Sequence, residues 1–370
     1  MIYLDYTATT PVDDEILDTY IKSTKTFFAN SSSIHMLGQR SNHMIEVCSQ
    51  TIFDCLDIKN HNIIYTTNAT EANNIGILGY CNKYHGQGKK IITTKIEHAS
   101  VFNVFKSLEN DFDVCYLDIN QNGLVDLDKL EKEMDKNVVL ISIMWTNNII
   151  GTIQNVKEII NIVKRYKTAK LHVDCVQGIC KVKPDFDFND IDMFTISSHK
   201  IYGPKGIAAL LVKRSIELNP IIYGSNAQFG LKPGTMDVAL ISAFAKAIKK
   251  YTVLIDKNRK YVKKLWLRLY EGLKNNKKIV INTPLDNISY YIMNISIPGV
   301  KGETTIHKLE NYEIYISTGS ACSSKIEKPE KTVLALTKSN DLALSAVRIS
   351  LSFLTKDEEI DEFIKVMELI

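Results

Sequence analysis

A carboxylate and a lysine follow two neighbouring apolar segments of the chain. One segment ends at Asp174, the next ends in Ser197-Ser198-His199-Lys200, and the turn Gly203-Pro204-Lys205-Gly206 leads into a third. Pyridoxal phosphate (PLP) chemistry needs both groups, because an amine holds the aldehyde of the cofactor while a carboxylate keeps its pyridine nitrogen protonated. An isolated Asp174 would be an ordinary turn residue and an isolated Lys200 a solvated lysine. Their position after adjacent apolar segments favours a PLP site.

Strand and helix patterns alternate through the first part of the chain. The predicted strands lie at 63–65, 90–94, 114–117 and 138–144, with one more before Asp174, and the predicted helices at 68–80, 99–108, 126–134 and 156–166. This alternation predicts an α/β fold with right-handed crossovers and a mainly parallel sheet covered on both faces. Ligands of such sheets bind beyond the carboxyl ends of the strands, where the polar clusters of this sequence fall.

Four polar positions follow predicted strands, and each has a structural alternative. Thr70 opens a helix whose free N–H groups suit a phosphate, although a simple helix cap explains it equally well. His98 is placed to stack on a planar ring or to act as an acid or base, but a lone histidine is more often structural. Asn148 and Gln177 have amides that can bind a cofactor or substrate, whereas turn formation and capping are the default explanations.

A different pattern begins after residue 212. The Gly-rich segment 223–235 precedes a long helical region predicted at about 238–273. Predicted strands at 280–282, 290–296 and 347–352 and helices at 304–310 and 357–369 follow, which indicates a second, smaller domain. Cys322 lies among small polar residues, as a thiol nucleophile that must move requires; a fortuitous surface cysteine is the alternative. Arg348 has the fork that binds a carboxylate bidentately, or it forms a structural salt bridge.

Composition excludes several classes of protein. The 370 residues carry a formal net charge of +3 and contain 45% hydrophobic residues, without a basic block, a long apolar run or an amino-terminal signal pattern. We therefore expect a cytoplasmic protein that binds neither nucleic acid nor membrane. The seven cysteines form no CxxC pair, so neither disulfides nor a structural metal is expected.

Taken together, the ordered motifs resemble the cysteine desulfurases of the NifS/IscS type, which are class V aminotransferases of PLP fold type I. The motifs are SSSIH (31–35), ATEANN (69–74), EHASV (97–101), DCVQG (174–178), SSHKIYGPKG (197–206) and STGSACSS (317–324). The resemblance spans essentially the whole chain. It implies a large PLP-binding domain at 13–250 and a smaller domain formed by 1–12 and 251–370 that carries the cysteine loop.

The resemblance also implies a role for each motif residue. Lys200 would hold the cofactor aldehyde, Asp174 the pyridine nitrogen and Gln177 the phenolic oxygen, while His98 would stack on the ring and assist proton transfer. The phosphate would be bound by Thr70, Ser197 and His199, joined by Thr235 from the neighbouring subunit of a homodimer. Asn148 would contact cofactor or substrate, Arg348 would bind the substrate carboxylate, and Cys322 would accept the sulfur.

The implied activity is the removal of sulfur from L-cysteine, which yields L-alanine and a persulfide on Cys322. The family implies iron–sulfur scaffold proteins or tRNA-thiolation proteins as sulfur acceptors. Two departures, Phe229 and Lys232, fall where the family has charged residues on the dimer side of the phosphate site. The alternatives are therefore a weakly active or inactive PLP-binding scaffold and an enzyme that resembles selenocysteine lyase.

Overall fold

A computed structural model describes residues 1–318 and 328–369 of the chain. The strands are β1 (Ile2–Tyr3), β2 (His61–Thr66), β3 (Lys90–Thr94), β4 (Asp113–Leu117), β5 (Val138–Met144), β6 (Lys170–Asp174), β7 (Met193–Ser197), β8 (Ala208–Lys213), β9 (Val280–Ile281), β10 (Ile292–Ser296), β11 (Ile314–Tyr315) and β12 (Ala346–Ser350). The helices are α1 (Asp14–Thr26), α2 (Met36–Cys55), α3 (Ala69–Tyr84), α4 (Ala99–Ser107), α5 (Leu127–Glu133), α6 (Val156–Val163), α7 (Val238–Thr252), α8 (Ile255–Leu273), α9 (Gly302–Glu310), α10 (Lys331–Thr337), α11 (Asn340–Leu344) and α12 (Asp357–Leu369).

The central sheet has seven strands in the order β2-β8-β7-β6-β5-β3-β4. All of them run in one direction except β8, which is antiparallel to both of its neighbours. Every residue of β5 is buried, as expected for a strand covered on both faces of the sheet. The predicted α/β fold with a mainly parallel sheet is confirmed.

Helices cover both faces of this sheet and enclose two hydrophobic cores. On one face, α1, α2, α6 and α7 contribute Ile16, Ile52, Ile159 and Phe244 to the larger core. On the other face, α3 and α4 pack their apolar side chains, among them Phe105, against the sheet. Because the helices fill both faces, the remaining space for a ligand lies at the ends of the strands.

A second, antiparallel sheet of order β12-β10-β9 lies in the carboxyl-terminal part of the chain. It packs with α8 and α12 around a separate core that includes Trp266, Met293 and Phe363. Strand β1 pairs with β11, so the first residues of the chain join this part of the molecule. The domain limits at 13–250 and 251–370 stay a prediction.

The helices agree with the sequence-based expectation in one place and depart from it in another. The predicted helical region at about 238–273 is confirmed as two helices: α7 ends at Thr252, and α8 starts at Ile255 after the exposed Val253. Helices α1 and α2 were not predicted. Helix α2 begins within a motif that we interpreted only as a family signature, since His35 caps it by accepting a hydrogen bond from the Gly38 N–H.

No helix within residues 1–318 and 328–369 combines the length and the apolar character needed to cross a membrane.

Candidate active site

Several of the predicted cofactor residues meet at the carboxyl ends of the central strands, which form one edge of the sheet. Asp174 is the last residue of β6, and Lys200 ends the short 3₁₀ turn that directly follows β7, the neighbouring strand. In the strand register, Ser197 pairs with Ala208 of β8, which pairs with Thr66 at the end of β2. Since α3 begins three residues after Thr66, its amino terminus opens at the same edge of the sheet.

The Asp174 carboxylate is held by two hydrogen bonds. Its Oδ1 accepts from the Val176 N–H at 3.0 Å, and its Oδ2 accepts from Asn73 Nδ2 at 3.1 Å. Only 6% of Asp174 is exposed, and Asn73 is fully buried on α3. Both donors restrict the carboxylate to one orientation, as a group that must face a ring nitrogen requires. The sequence analysis did not single out Asn73, although it lies within the ATEANN motif.

A chain of polar contacts connects Asp174 with His98. Asn73 Nδ2 also donates to Ser100 Oγ at 2.9 Å, and Ser100 Oγ lies 2.7 Å from His98 Nδ1. The Ser100 N–H donates to the same Nδ1 at 3.2 Å, so Nδ1 is an acceptor and the proton of the neutral ring lies on Nε2. Part of His98 is accessible to solvent, yet the surrounding protein lowers its pKa below the ordinary value, a shift that the Asp174 charge opposes and the Lys200 charge reinforces.

The amino-terminal segment forms another wall of the site. Lys200 Nζ donates to the carbonyl oxygens of Thr7 at 2.7 Å and Ala8 at 2.6 Å. Gln177 Nε2 donates to the same Thr7 oxygen at 3.1 Å. His199 Nδ1 lies 3.2 Å from Thr9 Oγ1. Backbone carbonyls leave no signature of this kind in a sequence, so these contacts could not be predicted.

Two of the residues predicted to bind phosphate, Ser197 and Thr70, lie at this end of the sheet. Ser197 Oγ is buried and has no hydrogen-bond partner within the described part of the chain. Thr70 is exposed in the first turn of α3, a sixteen-residue helix whose free N–H groups favour an anion. An amine, a carboxylate, an unsatisfied buried hydroxyl and a helix amino terminus together match the groups of PLP. The donor set of the site therefore fits this cofactor.

Arg348 connects the smaller sheet with the site. It lies on β12 and is 3% exposed, with Nη1 donating to the Asn148 carbonyl oxygen at 3.0 Å and Nη2 forming an ion pair with Asp5 at 2.9 Å. The side chain of the preceding Asn147 caps a turn by accepting from the N–H groups of Ile149 and Ile150. The geometry is compatible with both interpretations of Arg348, as a carboxylate receptor and as a structural ion pair.

Within the described part of one chain, no hydrogen bond joins Thr235 to the other predicted residues. Thr235 is exposed in the segment before α7. Nearby, Lys232 forms an ion pair with Glu71 at 3.1 Å, next to Thr70, and Phe229 is 66% exposed. Cys322 lies outside the described residues.

Comparison with known proteins defines the class to which this fold and site correspond. The family model described as aminotransferase class-V matches residues 2–363, and the chain belongs to that family. This membership confirms the class predicted from the motifs.

Individual relatives narrow the similarity further. The chain is 38% identical to a NifS/IcsS protein homolog of Lactobacillus delbrueckii subsp. bulgaricus over all of this chain and 97% of the relative. It is 35% identical to the cysteine desulfurase IscS of Buchnera aphidicola subsp. Baizongia pistaciae, over 99% of this chain and 91% of the relative. A solved NifS-like protein superposes with a TM-score of 0.92 at 31% identity, covering 100% of this chain and 98% of that one. The predicted resemblance to NifS/IscS proteins is confirmed.

Proposed function

We propose that this protein is a PLP-dependent cysteine desulfurase that converts L-cysteine to L-alanine and retains the sulfur as a persulfide. The observation that carries the proposal is the placement of Lys200 and Asp174 after neighbouring strands, beside an unsatisfied Ser197 hydroxyl and a helix amino terminus. Relatives named cysteine desulfurase IscS support it along the whole chain. A solved structure titled SspA in complex with cysteine, with 30% identity and a TM-score of 0.82, supports cysteine as the substrate.

Each residue of the site has a distinct task in this proposal. Lys200 holds the aldehyde, Asp174 the ring nitrogen and Gln177 the phenolic oxygen, while Thr70, Ser197 and His199 receive the phosphate. PLP, when bound, supplies a ring that accepts the electron pair of the broken Cα–H bond of the substrate. Lys200, once displaced by the substrate amine, takes up that proton, and His98, whose ring proton lies on Nε2, would stack on the cofactor ring and assist proton transfer.

Arg348 and Asn148 position the substrate. The Arg348 fork binds the substrate carboxylate, and its contact with the Asn148 carbonyl oxygen fixes the direction of the guanidinium group. Asp5 keeps this buried positive charge paired when no substrate carboxylate is present.

Cys322 is the sulfur acceptor in this proposal. Its thiolate attacks the sulfur of the substrate, so that a sulfur–sulfur bond forms and the carbon–sulfur bond breaks with its electron pair left on carbon. Protonation of that carbon and return of a proton from Lys200 to Cα give alanine, while the outer sulfur of the persulfide passes to an acceptor such as an iron–sulfur scaffold or a tRNA-thiolation protein. A homodimer would add Thr235 of the second subunit to the phosphate site.

The deciding experiment compares wild type with Cys322→Ser for alanine and sulfide release from cysteine in the presence of a reductant. We expect Cys322→Ser to lose at least about 100-fold in rate while keeping the visible absorbance of the bound cofactor, because the acceptor but not the cofactor site is removed. Cys55→Ser is the matched control, since Cys55 lies partly exposed on α2 and burial raises its pKa. Full turnover by Cys322→Ser would refute the role of this thiol.

A further inference from the structure

Lys181 is a buried lysine to which the activity proposed above assigns no task. It follows the turn after β6 and is 6% exposed, a rare environment for a cation. Within residues 1–318 and 328–369, no carboxylate forms a salt bridge with it. An unpaired buried ammonium group is costly, so a lysine in this position demands a specific reason.

The contacts of Lys181 point toward the cofactor site. Its Nζ donates to Gln177 Oε1 at 3.0 Å, and the same nitrogen lies 5.9 Å from the centre of the Tyr291 ring. At the other end of the amide, Gln177 Nε2 donates to the Thr7 carbonyl oxygen at 3.1 Å. A carbonyl oxygen accepts hydrogen bonds and cannot donate, so the amide has one orientation, with Oε1 toward Lys181 and Nε2 toward Thr7.

The Thr7 carbonyl oxygen connects this amide with the lysine that holds the cofactor. Lys200 Nζ donates to it at 2.7 Å, which completes a path from Lys181 through Gln177 and Thr7 to Lys200. Such a buried polar network is favourable only when each member keeps its partner. Loss of the Lys181 donor would leave Gln177 Oε1 unsatisfied and release the amide.

Charged groups from several elements face Lys181. Burial, reinforced by the charges of Lys200, after β7, and Arg348, on β12, lowers the pKa of Lys181 to about 7, whereas Cys180 acts in the opposite direction. Because like charges repel, Lys181 in turn disfavours a positive charge on Lys200.

We propose that Lys181 is a positioning residue that holds the Gln177 amide with Nε2 turned toward Thr7 and the phenolic side of the cofactor ring. The inference rests on the proposed cofactor site, in which Lys200 holds the aldehyde and Gln177 contacts the phenolic oxygen. A donor at that oxygen stabilises its anionic form, and a cation near Lys200 disfavours protonation there. Both effects lower the pH at which the nitrogen that links Lys200 to the cofactor releases its proton.

The test uses Lys181→Met, which keeps an unbranched side chain one atom shorter and removes the donor and the charge. We expect the holoenzyme variant to fold and keep its cofactor, while the pH midpoint of its visible absorbance rises by about 0.5 unit or more. Gln177→Leu alone should also raise the midpoint. Added to Lys181→Met, it should give no further rise, because the amide is already released.

Lys183→Met is the matched control, since Lys183 lies two residues away and its side chain is 74% exposed. It should leave the midpoint at the wild-type value. A Lys181→Met midpoint equal to that of wild type, or additive effects in the double variant, would overturn the proposal even if thermal stability changed. Failure of wild type to release sulfide from cysteine would instead refute the desulfurase assignment, and the spectral comparison would still decide the role of Lys181.

Discussion

Asn73 joins two residues that have different tasks at the cofactor in the proposed function, Asp174 and His98. One amide nitrogen donates to both Ser100 Oγ and Asp174 Oδ2. The Ser100 hydroxyl, which accepts from Asn73, has its own proton available for His98 Nδ1. A single buried amide therefore orients both the Asp174 carboxylate and the Ser100 hydroxyl that lies beside His98 Nδ1. This arrangement explains why Asn73 is buried without an apolar side chain.

Glu97, the residue before His98, is a buried acid whose protonation should control stability. It is 0% exposed, its Oε1 accepts from Thr94 Oγ1 and the Met144 N–H, and burial raises its pKa to about 8 from the usual 4.5. The folded protein therefore binds the Glu97 proton more tightly than the unfolded chain does. The stability that this difference contributes is fully present below about pH 4.5 and is lost as the pH rises through about 8.

Substituting Glu97→Gln should remove this pH dependence, because glutamine has the shape of the protonated acid and keeps the Oε1 acceptor. We expect nearly equal melting temperatures of variant and wild type at pH 5 and a more stable variant at pH 8.5. The gap in unfolding free energy should widen by at most about 1.4 kcal/mol per pH unit. Thermal unfolding at both pH values measures it, with the exposed Glu303→Gln as control. A gap that does not grow with pH would contradict the assignment of Glu97 as a buried neutral acid.

The segment before α7 covers a lateral edge of the central sheet, which is the open side of its outermost strand. Strand β2 lies at that edge, and the Gln228 side chain pairs with it: Oε1 accepts from the Tyr65 N–H at 2.6 Å, and Nε2 donates to the Tyr65 oxygen at 3.0 Å. Gln228 and Phe229 both have positive φ, at 49° and 63°, which turns the backbone so that the amide reaches the strand. The side chain thus replaces a neighbouring strand over one residue.

Removal of this contact should weaken the fold locally. In Gln228→Ala, the buried backbone groups of Tyr65 lose both partners, so we expect the free energy of unfolding to fall by about 1–3 kcal/mol. Chemical denaturation measures the change, and Gln121→Ala, at an exposed position, is the control. Equal stability of Gln228→Ala and wild type would mean that water satisfies Tyr65 as well as the amide does.

At the scale of the whole molecule, large apolar side chains are exposed on the surface. Two of them lie in the segment that carries Thr235, the residue predicted to act at the phosphate site of a second subunit. Tyr223 is 84% exposed and Phe229 66% exposed, in the segment that ends at Thr235. Ile34 is 92% exposed just before α2. Exposed apolar residues of this size are typical of surfaces that bind another protein, and a second copy of this chain would also bring Thr235 to a phosphate site.

The predicted homodimer can be tested by sedimentation. Wild type should sediment at about twice the mass of one chain, whereas Tyr223→Asp combined with Phe229→Asp should shift the protein toward the monomer, because charges replace apolar contacts. The monomer should also lose cofactor on dilution if Thr235 completes the site. Leu285→Asp, at a position 55% exposed in the part of the chain with the smaller sheet, should leave the mass unchanged. A monomeric wild type would contradict the prediction.

The sequence by itself determined the class of this protein, the order of most elements and the residues that touch the cofactor in the proposed function. These properties depend on short segments: Asp174, Ser197 and Lys200 lie at strand ends, where apolar runs and the following polar residues can be recognised locally. Only the tertiary structure decided which groups support them. Asn73 and the carbonyl oxygens of Thr7 and Ala8 come from distant parts of the chain, and their contacts with Asp174, Gln177 and Lys200 arise only when the sheet, α3 and the amino-terminal segment pack together. No local pattern encodes a backbone carbonyl 193 residues away from the lysine that it binds.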